Sequence, residues 1–138
     1  CLDLMVQRSQ SRSTFGRPLS EQGVVREWIA DARIMIEQAR LLVLKTAWLI
    51  DRHGAKGARI EIAAIKVVAP EVLTTVADRA MQLFGAAGFT EDFPLAEMWA
   101  MGRWLHIADG PDEVHRRSVA RSELGRLGPG ANPDPYPF

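Results

Sequence analysis

The stretch Val25–Ile50, VREWIADARIMIEQARLLVLKTAWLI, decides the fold. Trp28, Ala32, Met35, Ala39, Leu42 and Trp48 form one apolar row, and Ile29, Ile36, Val43 and Ile50 form a second that repeats every seven residues. Two such rows side by side make a broad apolar face at helical spacing. Arg26, Arg33, Glu37, Arg40 and Lys45 take the wetter positions. The spacing predicts one long helix, entered at Ser20-Glu21-Gln22 and stopped at Arg52-His53-Gly54.

Toward the C-terminus, Ile62, Ile65, Ala69, Val72, Val76, Ala80 and Leu83 predict a second helix from about Ala58 to Phe84. Pro70 lies inside it, where a proline removes a backbone donor and crowds the carbonyl of Lys66, so a kink or two collinear helices is expected. The run Gly85-Ala86-Ala87-Gly88 ends this helix. Pro94 opens a third segment through Met98, Arg103 and Leu105, and Pro111 a fourth through His115 and Val119 to Leu124. At the N-terminus, CLDLMVQRSQ lacks an initiator Met and reads as the middle of an amphipathic helix, as if cut from a longer chain. No segment alternates as a strand does. Short connections between helices favour antiparallel neighbours. The expected fold is therefore all-α, an antiparallel up-and-down four-helix bundle with one or two extra short helices, over residues 1–126. Residues 127–138, rich in proline and glycine, form a tail expected to be extended, disordered or packed on a partner.

Composition narrows the function classes. Lys+Arg and Asp+Glu balance at 17 each over 138 residues, which gives no basic surplus for nucleic acid. The single cysteine, Cys1, can form neither an internal disulfide nor a zinc cluster, so the default is an intracellular reducing compartment, the cytoplasm in a bacterium. No apolar run is long enough for a membrane span, and no signal peptide is visible. His53, His106 and His115 invite a metal reading, but no Glu-x-x-His pair recurs, so no metal is expected and the histidines read as solvated or structural. The four tryptophans read as core and interface anchors.

Three segments stand apart from the helical pattern. RSTFG, Arg12–Gly16, is either a turn with a solvated arginine and a buried Phe15, or an anion site with guanidinium on a phosphate and an aromatic against a flat ring. QLFGAAG, Gln82–Gly88, is either a helix end or a place where small residues let backbone amides and the Gln82 amide approach a ligand. ADGPDEVH, Ala108–His115, starts a helix: Asp109 or Gly110 would cap it, Pro111 would fill its first turn, and Asp112 with Glu113 would favour its N-terminus. The alternative gives Asp109 a catalytic role as a carboxylate at a cleft mouth.

In their order and spacing, these segments make residues 1 to about 125 resemble the C-terminal helical domain of the acyl-CoA dehydrogenases. The DGPDEVH form of the last turn is similar to the branch with kinase-fused members and their bacterial relatives. The resemblance implies a flavoenzyme that uses FAD to remove two hydrogens from an acyl-CoA thioester. It implies that Arg12 contacts the FAD pyrophosphate, with Thr14 and Phe15 flanking it on the same cofactor. It implies that Gln82, Phe84, Gly85 and Ala86 belong to the segment that approaches FAD near its adenosine, and that both segments reach a neighbour's FAD across a dimer interface. Asp109 falls where most members carry a glutamate base, Gly110 would lie at the substrate thioester, and Pro111, Asp112 and Glu113 would lie near the flavin. Implied partners are an acyl-CoA substrate, an electron-transfer flavoprotein as acceptor, and further copies in a homo-dimer or tetramer. Asp109 is one methylene shorter than glutamate, a loss of about 1.5 Å in reach. A non-catalytic assembly module and an acyl-CoA oxidase-like flavoenzyme remain the alternatives.

Overall fold

The computed structural model describes residues 1–126, so the expected tail lies outside the described residues. Five helices carry the fold: α1 (Leu2–Ser11), α2 (Gly23–Gly57), α3 (Arg59–Phe84), α4 (Leu95–Leu105) and α5 (Asp112–Arg126). Two-residue strands β1 (Ser13–Thr14) and β2 (Arg17–Pro18) form a minimal antiparallel hairpin between α1 and α2. Short 3-10 turns at Leu19–Glu21 and Gly85–Phe89 complete the elements.

Cross-ties fix the direction of each helix. Arg79 meets Asp31 at 3.1 Å and Lys45 meets Glu61 at 3.9 Å, so α2 and α3 run antiparallel. Phe93 packs on Phe84, Gly102 on Thr74, and Lys66 reaches Leu105 and Ala108, so α4 runs back along α3. His106 lies between Glu71 and Asp112, and α5 continues from there along the first half of α3. Arg8 of α1 stacks on Phe84 at the opposite end. The bundle is up-and-down, with α3 as the shared member and α4 and α5 stacked end to end as the fourth column.

The core is concentrated where α1, α2, α3 and α4 converge. Leu2, Met5, Val25, Ala32, Val76, Ala80, Met81, Leu83, Phe84 and Leu95 form one buried cluster there. Fully burying a side chain such as Met5 or Leu95 contributes about 1.5–3 kcal/mol, which anchors the short α1 and the start of α4. Alanines at 32, 77 and 80, each fully buried, let the helix backbones approach closely.

Helix starts and stops follow the local chemistry. α2 extends past the apolar rows and breaks at Gly54, whose φ of 70° and ψ of 169° are non-helical. Pro70 sits buried inside α3 without ending it, because packing on several sides holds the helix despite the missing donor. Pro94 precedes α4, as expected of a residue that cannot be an interior helix donor. Of the tryptophans expected as core and interface anchors, Trp48, Trp99 and Trp104 lie outside the core of the single chain, because the apolar face of α2 and α4 is wider than the surface their neighbours cover. No helix among the described residues is long and apolar enough to cross a membrane.

Candidate functional site

The first segment becomes the hairpin tip at the end of α1. Phe15 and Gly16 both have positive φ, 53° and 82°, as the mirror-image hairpin turns require. A bulky residue in that region is unfavourable, yet Phe15 holds it with 98% of its surface exposed. The expectation of a buried loop anchor is thus replaced by a displayed aromatic. Arg12 is held by its backbone: its N–H donates to Arg8 O at 3.0 Å and its carbonyl accepts from Leu19 N–H at 2.8 Å. Its exposed guanidinium has no partner among the described residues. Thr14 is half-buried in β1.

The second segment lies at the same end, on the last turn of α3. Gln82, Gly85 and Ala86 are exposed. Gly85 has φ 62° and ψ −141°, a conformation essentially reserved for glycine, and its Cβ position faces open space. Phe84 points inward: its ring sits edge-on to Phe93 at 4.6 Å, with the Arg8 guanidinium 5.2 Å from its centroid. Its side chain therefore belongs to the core, and only its backbone faces the surface segment. Gly88 permits the turn to fold back, since a Cβ there would stand 2.9 Å from the Met81 backbone. The Arg8–Phe84 stack brings the Arg12 and Gln82 segments to one end of the bundle.

The third segment joins α4 to α5 near the middle of α3. Asp109 is exposed, has a left-handed φ of 54°, and its carboxylate makes no hydrogen bond or ion pair among the described residues. It therefore does not cap α5. Gly110 follows at φ 100°, half-buried, with His115 Nε2 placed 3.5 Å from where its Cβ would be. That His115 nitrogen is buried without a partner. Pro111 and Glu113 are exposed, and a hollow of about 270 Å³ opens beside them, lined also by Thr74, Arg103 and His106.

Asp112 has a different job. Its carboxylate is nearly buried and accepts from His106 Nδ1 at 2.7 Å and from Arg116 at 3.2 Å. Its N–H donates to the His106 carbonyl at 3.3 Å. From α3, Lys66 Nζ donates to the carbonyls of Leu105, at 3.3 Å, and Ala108, at 2.9 Å. Sequence reading missed Lys66, because a lysine at a half-apolar position carries no sign of partners 39 and 42 residues away. A larger groove of about 1080 Å³, between the α2–α3 elbow and α5, carries Lys56, Arg59 and Arg121 and reaches His115.

The three segments do not form one cluster. Lys66 and Gln82 are both on α3, and at about 1.5 Å rise per residue the sixteen positions between them span about 24 Å. One end of the bundle displays a cation, an aromatic and a glycine turn. The middle displays a bare carboxylate.

These features define a class: an up-and-down helical bundle whose fourth column is split by a carboxylate-glycine turn. The chain belongs to the acyl-CoA dehydrogenase family, whose C-terminal domain matches residues 1–124. It is 57% identical over 125 residues to FadE2 of Mycobacterium tuberculosis, named as an acyl-CoA dehydrogenase, covering 91% of this chain and 31% of that protein. It is 54% identical over 123 residues to acyl-CoA dehydrogenase family member 10 of Mus musculus, covering 89% of this chain and 12% of that one. A solved structure from Mycobacterium abscessus, named as that of an acyl-CoA dehydrogenase, superposes with a TM-score of 0.90 at 50% identity, over 92% of this chain and 31% of that one. The chain spans about a third or less of the length of these relatives.

Proposed function

We propose that this chain is the C-terminal domain of an FAD-dependent enzyme that dehydrogenates an acyl-CoA thioester between its α and β carbons, with Asp109 as the base. The observation that carries the reading is the state of Asp109: an exposed carboxylate, free of partners among the described residues, on a turn that holds it in an unfavourable backbone conformation. A carboxylate with no structural employment is available for a proton. Asp109 would take the α-proton as the thioester carbonyl gains enolate character, and the Gly110 turn would lie against the thioester.

The bundle end fits FAD. The unpaired Arg12 guanidinium suits a pyrophosphate, Phe15 offers a face for a flat ring, and Gln82, Gly85 and Ala86 present an amide and open backbone. When bound, FAD supplies the acceptor for the β-hydrogen, leaving the C–H electron pair of the α-carbon to form the new double bond. The placement of this end at the Arg8–Phe84 stack, and of the Asp109 turn beside Lys66 and His106 toward the middle of α3, supports the reading that this end serves the FAD of a neighbouring copy while Asp109 serves its own substrate. The exposed stripe Ile34, Leu41, Leu44 and Trp48 on α2 supports assembly as a homo-dimer or tetramer. The groove with Lys56, Arg59 and Arg121 supplies positive charge for a polyanionic CoA. An electron-transfer flavoprotein as final acceptor and an intracellular reducing compartment complete the proposal.

The test is Asp109→Asn in the full-length protein. Flavin should remain bound, while bleaching of its absorbance by acyl-CoA under anaerobic conditions should be lost. Undiminished bleaching would reassign the turn to a non-catalytic assembly role. Reoxidation by oxygen instead of an electron-transfer flavoprotein would make the enzyme oxidase-like.

A further inference from the structure

The eight residues from Leu105 to Asp112 leave one helix, display Asp109 and enter the next. A left-handed φ, which aspartate tolerates better than most residues but which is still uncommon, is kept where the surroundings over-determine it. Two ties do so here, from opposite sides of the turn.

Lys66 pins the near side. Its ammonium, half-buried on α3, donates to Leu105 O at 3.3 Å and Ala108 O at 2.9 Å. Terminal carbonyls of a helix have no backbone donor left, and a cation is favoured there. Ala108 O belongs to the peptide unit that carries the Asp109 nitrogen, so Lys66 holds the very group whose orientation aims the Asp109 side chain. The far side is closed by the pair His106–Asp112. Its side chains, 12% and 11% exposed, meet at 2.7 Å, and the Asp112 N–H returns to His106 O. Residues 106 and 112 are thereby tied twice, around the turn. Glu71, on α3 like Lys66, lies 4.0 Å from His106 Nε2, which sets the pair beside the central helix.

We propose that Lys66 and the His106–Asp112 pair are positioning residues that aim the Asp109 carboxylate at the substrate proton. This rests on the reading of Asp109 as the base. None of the three touches the reacting atoms; each acts through the turn. Proton transfer requires close approach, and a displacement of about 1 Å can cost about 10²-fold in rate.

The experiment uses the full-length, FAD-loaded enzyme with Lys66→Met, Lys66→Arg, Asp112→Asn and Asp109→Asn. Lys66→Met is expected to lower kcat by about 10²-fold with KM little changed, since the turn is mis-aimed and the binding surface is kept. Lys66→Arg, which can still donate to two carbonyls, is expected to recover most of kcat. Amide hydrogen exchange across residues 105–112, measured without substrate, should quicken in Lys66→Met and Asp112→Asn and return toward the parent in Lys66→Arg. Should Lys66→Met fail to fold, Asp112→Asn, which replaces the charged acceptor of His106 and Arg116 with a neutral amide, carries the same kcat-against-KM comparison. An unchanged kcat in a folded Lys66→Met or Asp112→Asn protein, or a loss confined to KM, overturns the proposal. So does a kcat loss with unaltered exchange in the turn. The two readings separate cleanly: undiminished turnover in Asp109→Asn refutes Asp109 as base, whereas its loss together with normal turnover in Lys66→Met refutes only the positioning role.

Discussion

Gly102→Ala tests whether α4 is seated on α3 as closely as the structure has it. A Cβ at Gly102 would stand 2.6 Å from Thr74 Oγ1, 3.1 Å from the Thr74 backbone N and 3.3 Å from Leu73 Cγ. The hydroxyl cannot be accommodated at that distance, and the backbone nitrogen is not a flexible neighbour. Alanine is a better helix former than glycine by about 1 kcal/mol, which works in favour of the substitution. Overpacking a tight helix contact costs about 1–3 kcal/mol. The net expectation is a loss of about 1 kcal/mol, roughly a 3–5 °C fall in Tm for a domain of this size. Thr74 supplies the control. Its Oγ1 is buried with no hydrogen-bond partner, so Thr74→Ala alone should change stability by less than about 1 kcal/mol. Combined with Gly102→Ala, it removes the worst contact and should restore part of the loss, giving a coupling energy of about 0.5–3 kcal/mol. Urea unfolding followed by circular dichroism on the four proteins closes the cycle. A Gly102→Ala protein as stable as its parent, or additive losses in the double variant, would refute the close crossing. The consequence reaches the site, because Gly102 O accepts the His106 N–H at 3.4 Å, one turn before the Asp109 turn begins.

Leu49, fully buried on α2, should cost about 2–5 kcal/mol when replaced by alanine, whereas the exposed Leu124 on α5 should cost less than about 0.5 kcal/mol, both read by urea unfolding. Asp112→Ala removes a charged acceptor shared by His106 and Arg116 and should destabilise by about 1.5–3 kcal/mol in the same assay. Gly85→Ala forces a side chain into a backbone region that excludes it, at about 1–3 kcal/mol of strain, although no atom stands in its way; unchanged stability would show that the turn relaxes. Arg12→Ala should leave unfolding within about 0.5 kcal/mol, since the guanidinium has no partner among the described residues, yet reduce flavin retained by the full-length protein after gel filtration.

Local rules carried the helices well. Apolar spacing placed α3 within a residue of its observed start, and Gly54, Gly85, Pro94 and Pro111 stand at the breaks because each restricts or frees the backbone on its own. The hairpin escaped because strands of two residues have no alternation to read. Exposure was harder. Trp48, Trp99 and Trp104 share the spacing of buried residues, and spacing reports which residues share a face, not whether anything covers it. Phe84 and Asp112 lie within legible motifs, yet their side chains turn into the bundle, Phe84 onto Phe93 and Asp112 onto His106.

The sequence by itself determined the helical order, the breaks between helices and the three segments that align with the acyl-CoA dehydrogenases, because these depend on residues close along the chain. Only the tertiary structure decided that Arg12 and Gln82 share one end while the Asp109 turn is held from further back along α3, through Lys66. It also decided that Asp109 is left bare while Asp112, three residues on, is consumed by His106 and Arg116. Two aspartates in one short motif look alike in sequence. The partners that separate them, His106 beside one and Lys66 beneath the backbone of the other, arrive through packing across elements, and no local spacing encodes that meeting.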